Sequence, residues 1–153
     1  MLLFTPDQIF LNRASKLKVN YSDGRLIIRI TFACVENSCR SQIAEALANE
    51  MFAGEDLEFS SAGSQPADEA DPGAIAMLRD NGIDWKGVPK SFGDIPAPDV
   101  MVTMGCDVQC PFIPGARMIE WEIPDPKGKE RAEYIRIKEL IEGKLRKLVT
   151  ENL

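Results

Sequence analysis

The 153-residue sequence contains no histidine. That absence excludes Ser-His and Cys-His nucleophile pairs, histidine metal ligands and an imidazole general base. Chemistry must therefore come from cysteine, carboxylates, Lys/Arg, hydroxyls or backbone amides. No apolar run approaches the ~18 residues needed to cross a bilayer. Met1-Leu2-Leu3-Phe4 is short, lacks a basic lead and meets Pro6 and Asp7 at once, unlike a secretion signal. Positive charge is in deficit, 18 Lys+Arg against 24 Asp+Glu for a net charge of −6. The expectation is no nucleic-acid partner and no membrane partner, and an anionic ligand must be caught by a local site rather than a basic face. What is present, 44% hydrophobic and 27% charged residues, describes one globular domain with a sizeable core. Four cysteines, Cys34, Cys39, Cys106 and Cys110, remain. In the reducing, cytoplasmic setting expected here they suit catalysis or metal binding better than permanent cross-links.

The first 25 residues differ from the rest. Arg13, Lys16, Lys18 and Arg25 against Asp7 and Asp23 give them a net +2 and leave −8 on the remainder. Thr5-Pro6 reads as an N-cap followed by proline at the first helical position, predicting a short helix over residues 6–15. Ser22-Asp23-Gly24 is a turn signal between Lys18–Tyr21 and the apolar run Leu26–Phe32. Residues 1–25 are thus read as an N-terminal extension and residues 26–153 as the domain. Leu26–Phe32 is nearly continuously apolar, as a buried parallel strand is. Ser41–Met51 predicts a helix, Leu57–Ser61 a second strand, and Asp71-Pro72 opens a helix that stops at Asn81-Gly82. Val100–Met104 is a third strand and Met118–Ile123 a fourth, before a final helix from Lys129 to Val149. The order predicts an α/β fold of three layers, α/β/α, with helices on both faces of a central parallel four-stranded sheet. Such sheets bind ligands beyond the carboxyl ends of their strands.

Where the first strand meets the first helix the sequence reads Cys34-Val35-Glu36-Asn37-Ser38-Cys39-Arg40-Ser41. A loop there turns backbone N–H groups inward as a nest, and the helix N-terminus adds unsatisfied donors and the positive end of its dipole. Val35, Glu36, Asn37, Ser38, Cys39 and Arg40 are the candidate binding residues for a tetrahedral oxyanion, with Arg40 able to grip two of its oxygens. Cys34, at the bottom of the cup, is the candidate nucleophile, in a setting that favours a thiolate. Ser41 can cap the helix and donate to the cysteine sulfur. Glu36 would repel an anion if it faced inward and is expected to point outward. Cys39 reads as a small buried hydrophobe at the helix start. Zinc held by all four cysteines is the competing reading, but neither pair has the two-residue spacing of common zinc motifs.

These residues resemble a family. Cys-x5-Arg-Ser after a first strand is similar to the anion loop of the low-molecular-weight protein tyrosine phosphatases and of the arsenate reductases sharing their fold. Asn37-Ser38-Cys39-Arg40-Ser41-Gln42 with Ala44-Glu45-Ala46 looks like the arsenate reductase branch. Ser60-Ser61-Ala62-Gly63, Thr103-Met104-Gly105-Cys106 through Cys110-Pro111, and Trp121 followed by Asp125-Pro126 resemble further family elements in the same order.

The resemblance implies a fold in which the first strand is interior, so a hairpin partner from Lys18–Tyr21 finds no free edge beside it. The extension is expected to pack on a helix face, reach another edge or cross to a second subunit. The resemblance also implies reduction of arsenate to arsenite. Cys34 attacks arsenic, Asp125 protonates the departing oxygen, and Cys106 and Cys110 take the roles of second and third relay cysteines. Residues four apart on a helical turn have Cα atoms ~6 Å apart, within disulfide reach. No tightly bound cofactor is implied. The reductant would be thioredoxin or a related carrier, although the short Cys106–Cys110 gap leaves a low-molecular-weight thiol as the alternative. Asn37, Glu45 and Ser61 match positions that bind potassium in some of these reductases. The alternative activity is hydrolysis of phosphate monoesters through a phosphocysteine, but Lys127-Gly128-Lys129 follows Asp-Pro where the phosphatases carry tyrosines that shape an aryl slot. A non-catalytic anion-binding or zinc-stabilised module is the third reading.

Overall fold

In the computed structural model, which describes residues 20–22, 24–105 and 111–153, one strand organises the rest. The chain runs β1 (Asn20–Ser22), β2 (Arg25–Cys34), α1 (Arg40–Met51), β3 (Leu57–Gly63), α2 (Pro72–Asp80), a 3₁₀ turn (Phe92–Asp94), β4 (Val100–Thr103), β5 (Arg117–Glu120) and α3 (Arg131–Glu151). The strand β2 is buried from Ile30 to Cys34 because it has parallel neighbours on both flanks. Ile28–Cys34 pair with Leu57–Gly63 of β3, and Ile30–Ala33 pair with Val100–Thr103 of β4. The strand β5 pairs parallel to β4. The order β3-β2-β4-β5 is the expected central parallel four-stranded sheet, with Cys34 at the carboxyl end of its interior strand. The helix expected over residues 6–15 lies outside the described residues.

Alternation along the strands splits the core in two. Ile30, Phe32, Val100, Val102 and Met104 face the larger cluster, which receives Ile43 and Leu47 of α1, Met77 and Leu78 of α2, and Ile137, Ile141, Leu145 and Leu148 of α3. Phe32 stacks on Phe59 and tilts against Trp121, with ring centroids 6.1 and 5.9 Å apart. Ala33 and Met101 point the other way, toward Val35, Phe92 and Ile113. All three helices thus contribute to the larger cluster, whereas among the described residues the smaller one is covered by Phe92 of the 3₁₀ turn and by Val35 and Ile113 from loops. Among the described residues no helix is long and apolar enough to cross a membrane.

The N-terminal hairpin departs from expectation. Ser22, Tyr21 and Asn20 pair antiparallel with Arg25, Leu26 and Ile27 of β2. The expected lack of a free edge fails because β2 is longer than its partners. Pairing with β3 begins only at Ile28 and with β4 only at Ile30, so the first three residues of β2 project beyond both and keep an edge open.

The helix α2 is tied into the site from its first residue. Asp71 is its N-cap and accepts from the Ala74 N–H at 3.3 Å, with Pro72 at the favoured first position. The Asp71 N–H donates to the Ser38 carbonyl of the anion loop at 2.8 Å. The Tyr134 hydroxyl of α3 donates to Asp71 Oδ2 at 2.6 Å and accepts from the Gly128 N–H at 3.2 Å. Burial, with the Asp71 carboxylate as acceptor, pushes the Tyr134 phenol up to about 12. Removing the hydroxyl in Tyr134→Phe strips one acceptor from Gly128 and one donor from Asp71. The expected loss of stability is about 1–2 kcal/mol, read as a lower urea midpoint with an unchanged slope.

Candidate active site

The loop between β2 and α1 folds around the Cys34 sulfur. The sulfur accepts from the Asn37 N–H at 3.2 Å and lies 2.8 Å from Ser41 Oγ. Asn37 takes a left-handed conformation, φ 50°, which turns its amide inward and which asparagine tolerates better than most residues. The end of β3 comes so close that a side chain on Gly63 would lie 2.5 Å from the Val35 carbonyl and 2.9 Å from the Asn37 nitrogen. Only glycine fits there.

Behind the loop a buried set of bonds has a fixed direction. The Trp85 indole N–H, which can only donate, reaches Gln42 Oε1 at 2.9 Å. Gln42 Nε2 then donates to the Asn37 carbonyl at 3.0 Å and to Asn37 Oδ1 at 3.2 Å. The Lys90 N–H also donates to Asn37 Oδ1, at 2.9 Å. Asn37 Nδ2 is left to donate to Ser41 Oγ at 2.8 Å. The Ser41 hydrogen is thereby free to point at the Cys34 sulfur. The expected capping role of Ser41 is not seen. The N-cap of α1 is Cys39, with no side-chain cap bond, because the Ser41 hydroxyl is spent on Cys34 and Asn37.

A cavity of about 290 Å³ opens above the sulfur, lined by Cys34, Val35, Glu36, Ser38, Cys39, Arg40, Asp125 and Lys127. Arg40 donates from Nη1 to the Ile123 carbonyl at 2.9 Å and places Nη2 3.9 Å from Asp125 Oδ2. Asp125 Oδ1 accepts from the Lys127 N–H at 3.0 Å. Glu36 is half exposed and holds Lys127 Nζ at 2.7 Å, which keeps its carboxyl below the usual range. Cys39 is buried in the core. Burial pushes its thiol up, and the Asp71 and Asp125 carboxylates add to the effect. Gly105, at φ +76°, packs so near Arg40 that a side chain there would meet Nη1 at 2.5 Å. Cys106 and Cys110 lie outside the described residues.

The candidate cation ligands do not fit a potassium ion. The Ser61 hydroxyl donates to Glu45 Oε2 at 3.0 Å, and Lys90 Nζ lies 3.8 Å from the same oxygen. Asn37 Oδ1 already accepts two bonds. A metal ion would face the Lys90 ammonium at a spent donor set. Burial raises the Glu45 carboxyl above its usual range, and Lys90 and Ser61 oppose that shift.

The structure therefore gathers Cys34, Val35, Glu36, Ser38, Cys39, Arg40 and Asp125 around one cavity, with Asn37 and Ser41 behind it. Sequence reasoning missed Trp85, Lys90 and the pairing of Lys127, and gave Gln42 no role. Trp85 and Lys90 lie in no local motif with a chemical signature, and Gln42 and Lys127, which adjoin motif residues, take partners 43 and 91 positions away.

A sheet whose interior strand ends in a cysteine beneath a Cys-x5-Arg loop defines the class of cysteine-centred anion-loop proteins. Residues 29–153 match the low molecular weight phosphotyrosine protein phosphatase family, and the chain belongs to that family. It is 34% identical over 129 residues to an arsenate reductase of Staphylococcus xylosus, covering 80% of this chain and 93% of that protein. Among solved structures it is similar to an arsenate reductase from Archaeoglobus fulgidus, with 30% identity, a TM-score of 0.69 and coverage of 80% and 99% of the two chains. It is also similar to a thioredoxin-dependent arsenate reductase of Corynebacterium glutamicum, with 34% identity and a TM-score of 0.65, covering 80% of this chain and 60% of that one.

Two outcomes follow from the geometry. Ser41→Ala, which deletes the hydrogen aimed at the sulfur, slows alkylation of Cys34 by iodoacetamide about tenfold at neutral pH, measured by peptide mass spectrometry. Exchange of potassium for sodium chloride at constant ionic strength leaves the melting temperature unchanged, whereas Lys90→Met costs about 1–2 kcal/mol in either salt.

Proposed function

We propose that this protein reduces arsenate to arsenite through Cys34 and a thiol relay. The observation that carries the reading is the sulfur at the floor of the cavity, bonded by the Asn37 N–H at 3.2 Å and set 2.8 Å from Ser41 Oγ, with Arg40 and Asp125 lining the same space. The 34% identity to an arsenate reductase supports it. Arsenate, a tetrahedral oxyanion, sits on the inward amides of the loop against Arg40. The Cys34 thiolate attacks As(V) while Asp125 gives a proton to the departing oxygen, which leaves as water. The Cys106 thiolate then attacks the Cys34 sulfur. The electron pair of the sulfur–arsenic bond passes to arsenic, arsenite departs, and a Cys34–Cys106 disulfide remains. Attack by Cys110 on Cys106 frees Cys34 and leaves a Cys106–Cys110 disulfide, which an external dithiol reduces by exchange. Thioredoxin is the proposed dithiol, in a reducing cytoplasm, with a low-molecular-weight thiol as the alternative.

The family match keeps hydrolysis of phosphate monoesters as the second reading. It differs only in that water, not a cysteine, resolves the Cys34 adduct. No aromatic ring is among the described residues that line the cavity, which favours a free oxyanion over an aryl ester. The readings separate when fully reduced protein, with four thiols, meets one equivalent of arsenate. The relay consumes two thiols and releases arsenite, and Cys34→Ser abolishes both. Hydrolysis consumes none and turns over an aryl phosphate. In Cys106→Ala multiple-turnover reduction ends while any phosphatase side activity persists.

A further inference from the structure

Two ion pairs line the cavity. Arg40 faces Asp125 at 3.9 Å, and Lys127 faces Glu36 at 2.7 Å. The first pair belongs to the chemistry already described. The second joins residues 91 positions apart and has no part in it. Glu36 stands two residues after the nucleophile, where a bare carboxylate would repel an arriving dianion. Ser38 Oγ also donates to Glu36 Oε2, at 3.4 Å, so the carboxylate is held at the rim. Lys127 is anchored from its own side, because its backbone N–H closes a turn onto Asp125 Oδ1.

We propose that the Lys127–Glu36 pair is the specificity-determining bar of this site, admitting small free oxyanions and rejecting phosphate monoesters. The inference rests on the reading of the cavity as an oxyanion site. Two physical effects combine. Lys127 cancels the charge that Glu36 would set against the ligand. Both side chains line the cavity from which the organic group of an ester must project, and a free oxyanion has no such group. Both side chains are about half exposed, 43% and 52%, so the pair is cheap to open. An arriving oxyanion replaces Glu36 as the partner of the ammonium. An uncharged organic group at the mouth offers no such exchange.

The test measures protection of Cys34 from iodoacetamide, in the reduced full-length chain, by inorganic phosphate and separately by p-nitrophenyl phosphate. Wild type, Lys127→Met, Lys127→Arg, Glu36→Gln and the Glu36→Gln/Lys127→Met double variant are compared. For inorganic phosphate, Lys127→Met is expected to raise the half-protecting concentration about fivefold, and the double variant to recover most of that loss. Lys127→Arg stays near wild type. For the ester, the double variant is protected at a lower concentration than wild type, so the preference for the free oxyanion collapses. Half-protecting concentrations and ester preference in Lys127→Met and the double variant that equal wild type would overturn the proposal while leaving the oxyanion site intact. Failure of inorganic phosphate to protect wild-type Cys34 at any concentration would remove the oxyanion reading and this inference with it.

Discussion

Everything at the site depends on how hydrogen is distributed around one sulfur atom. A thiol at a strand end is unremarkable until donors converge on it, and here their direction is set some distance away. The indole of Trp85 can only donate, so Gln42 must receive with its oxygen and give with its nitrogen. Asn37, receiving on its carbonyl oxygen from Gln42 and from the Lys90 backbone, has only its amide hydrogens left for Ser41. The hydroxyl then has one useful direction, toward Cys34. A buried network with this polarity aims the Ser41 hydroxyl and the Asn37 N–H at the sulfur.

The fold serves this arrangement by rigidity. The loop is hemmed in by the end of β3 at Gly63, by the start of α2 through the Asp71 bond to Ser38, and by α3 through Tyr134. Each contact comes from a different element, and together they hold a left-handed asparagine that an isolated peptide would not keep. The packed rings of Phe32, Phe59 and Trp121 lie under the same strand end, so the floor of the cup is backed by hydrocarbon. In family terms, the protein is a low molecular weight phosphatase scaffold similar to arsenate reductases, and the described residues lining its cavity include four charged side chains and no aromatic one.

Much of this was legible in the sequence because it is local. The apolar run ending in Cys34, the five-residue gap to Arg40 and the Asp71-Pro72 and Asp125-Pro126 signals each lie within a few residues, and periodicity placed the four parallel strands and three helices. What escaped depends on distant pairs. Trp85 meets Gln42 across 43 positions, Lys90 meets Asn37 across 53, and Lys127 meets Glu36 across 91. Of the two roles expected for Ser41, the bond to the sulfur fits the geometry and the cap does not, because its hydroxyl lies between Cys34 and Asn37. The hairpin was misplaced for another reason: periodicity shows that a strand exists but not that it outruns its neighbours.

That overhang has its own consequence. Three residues of β2 reach past both parallel partners, and unpaired they would offer a ready template on which a second molecule could build a strand. By folding Asn20–Ser22 back onto them, the chain covers one flank of that template with its own backbone. The N-terminal turn thus narrows the edge left open to a further strand, at the opposite end of the strand from the cysteine.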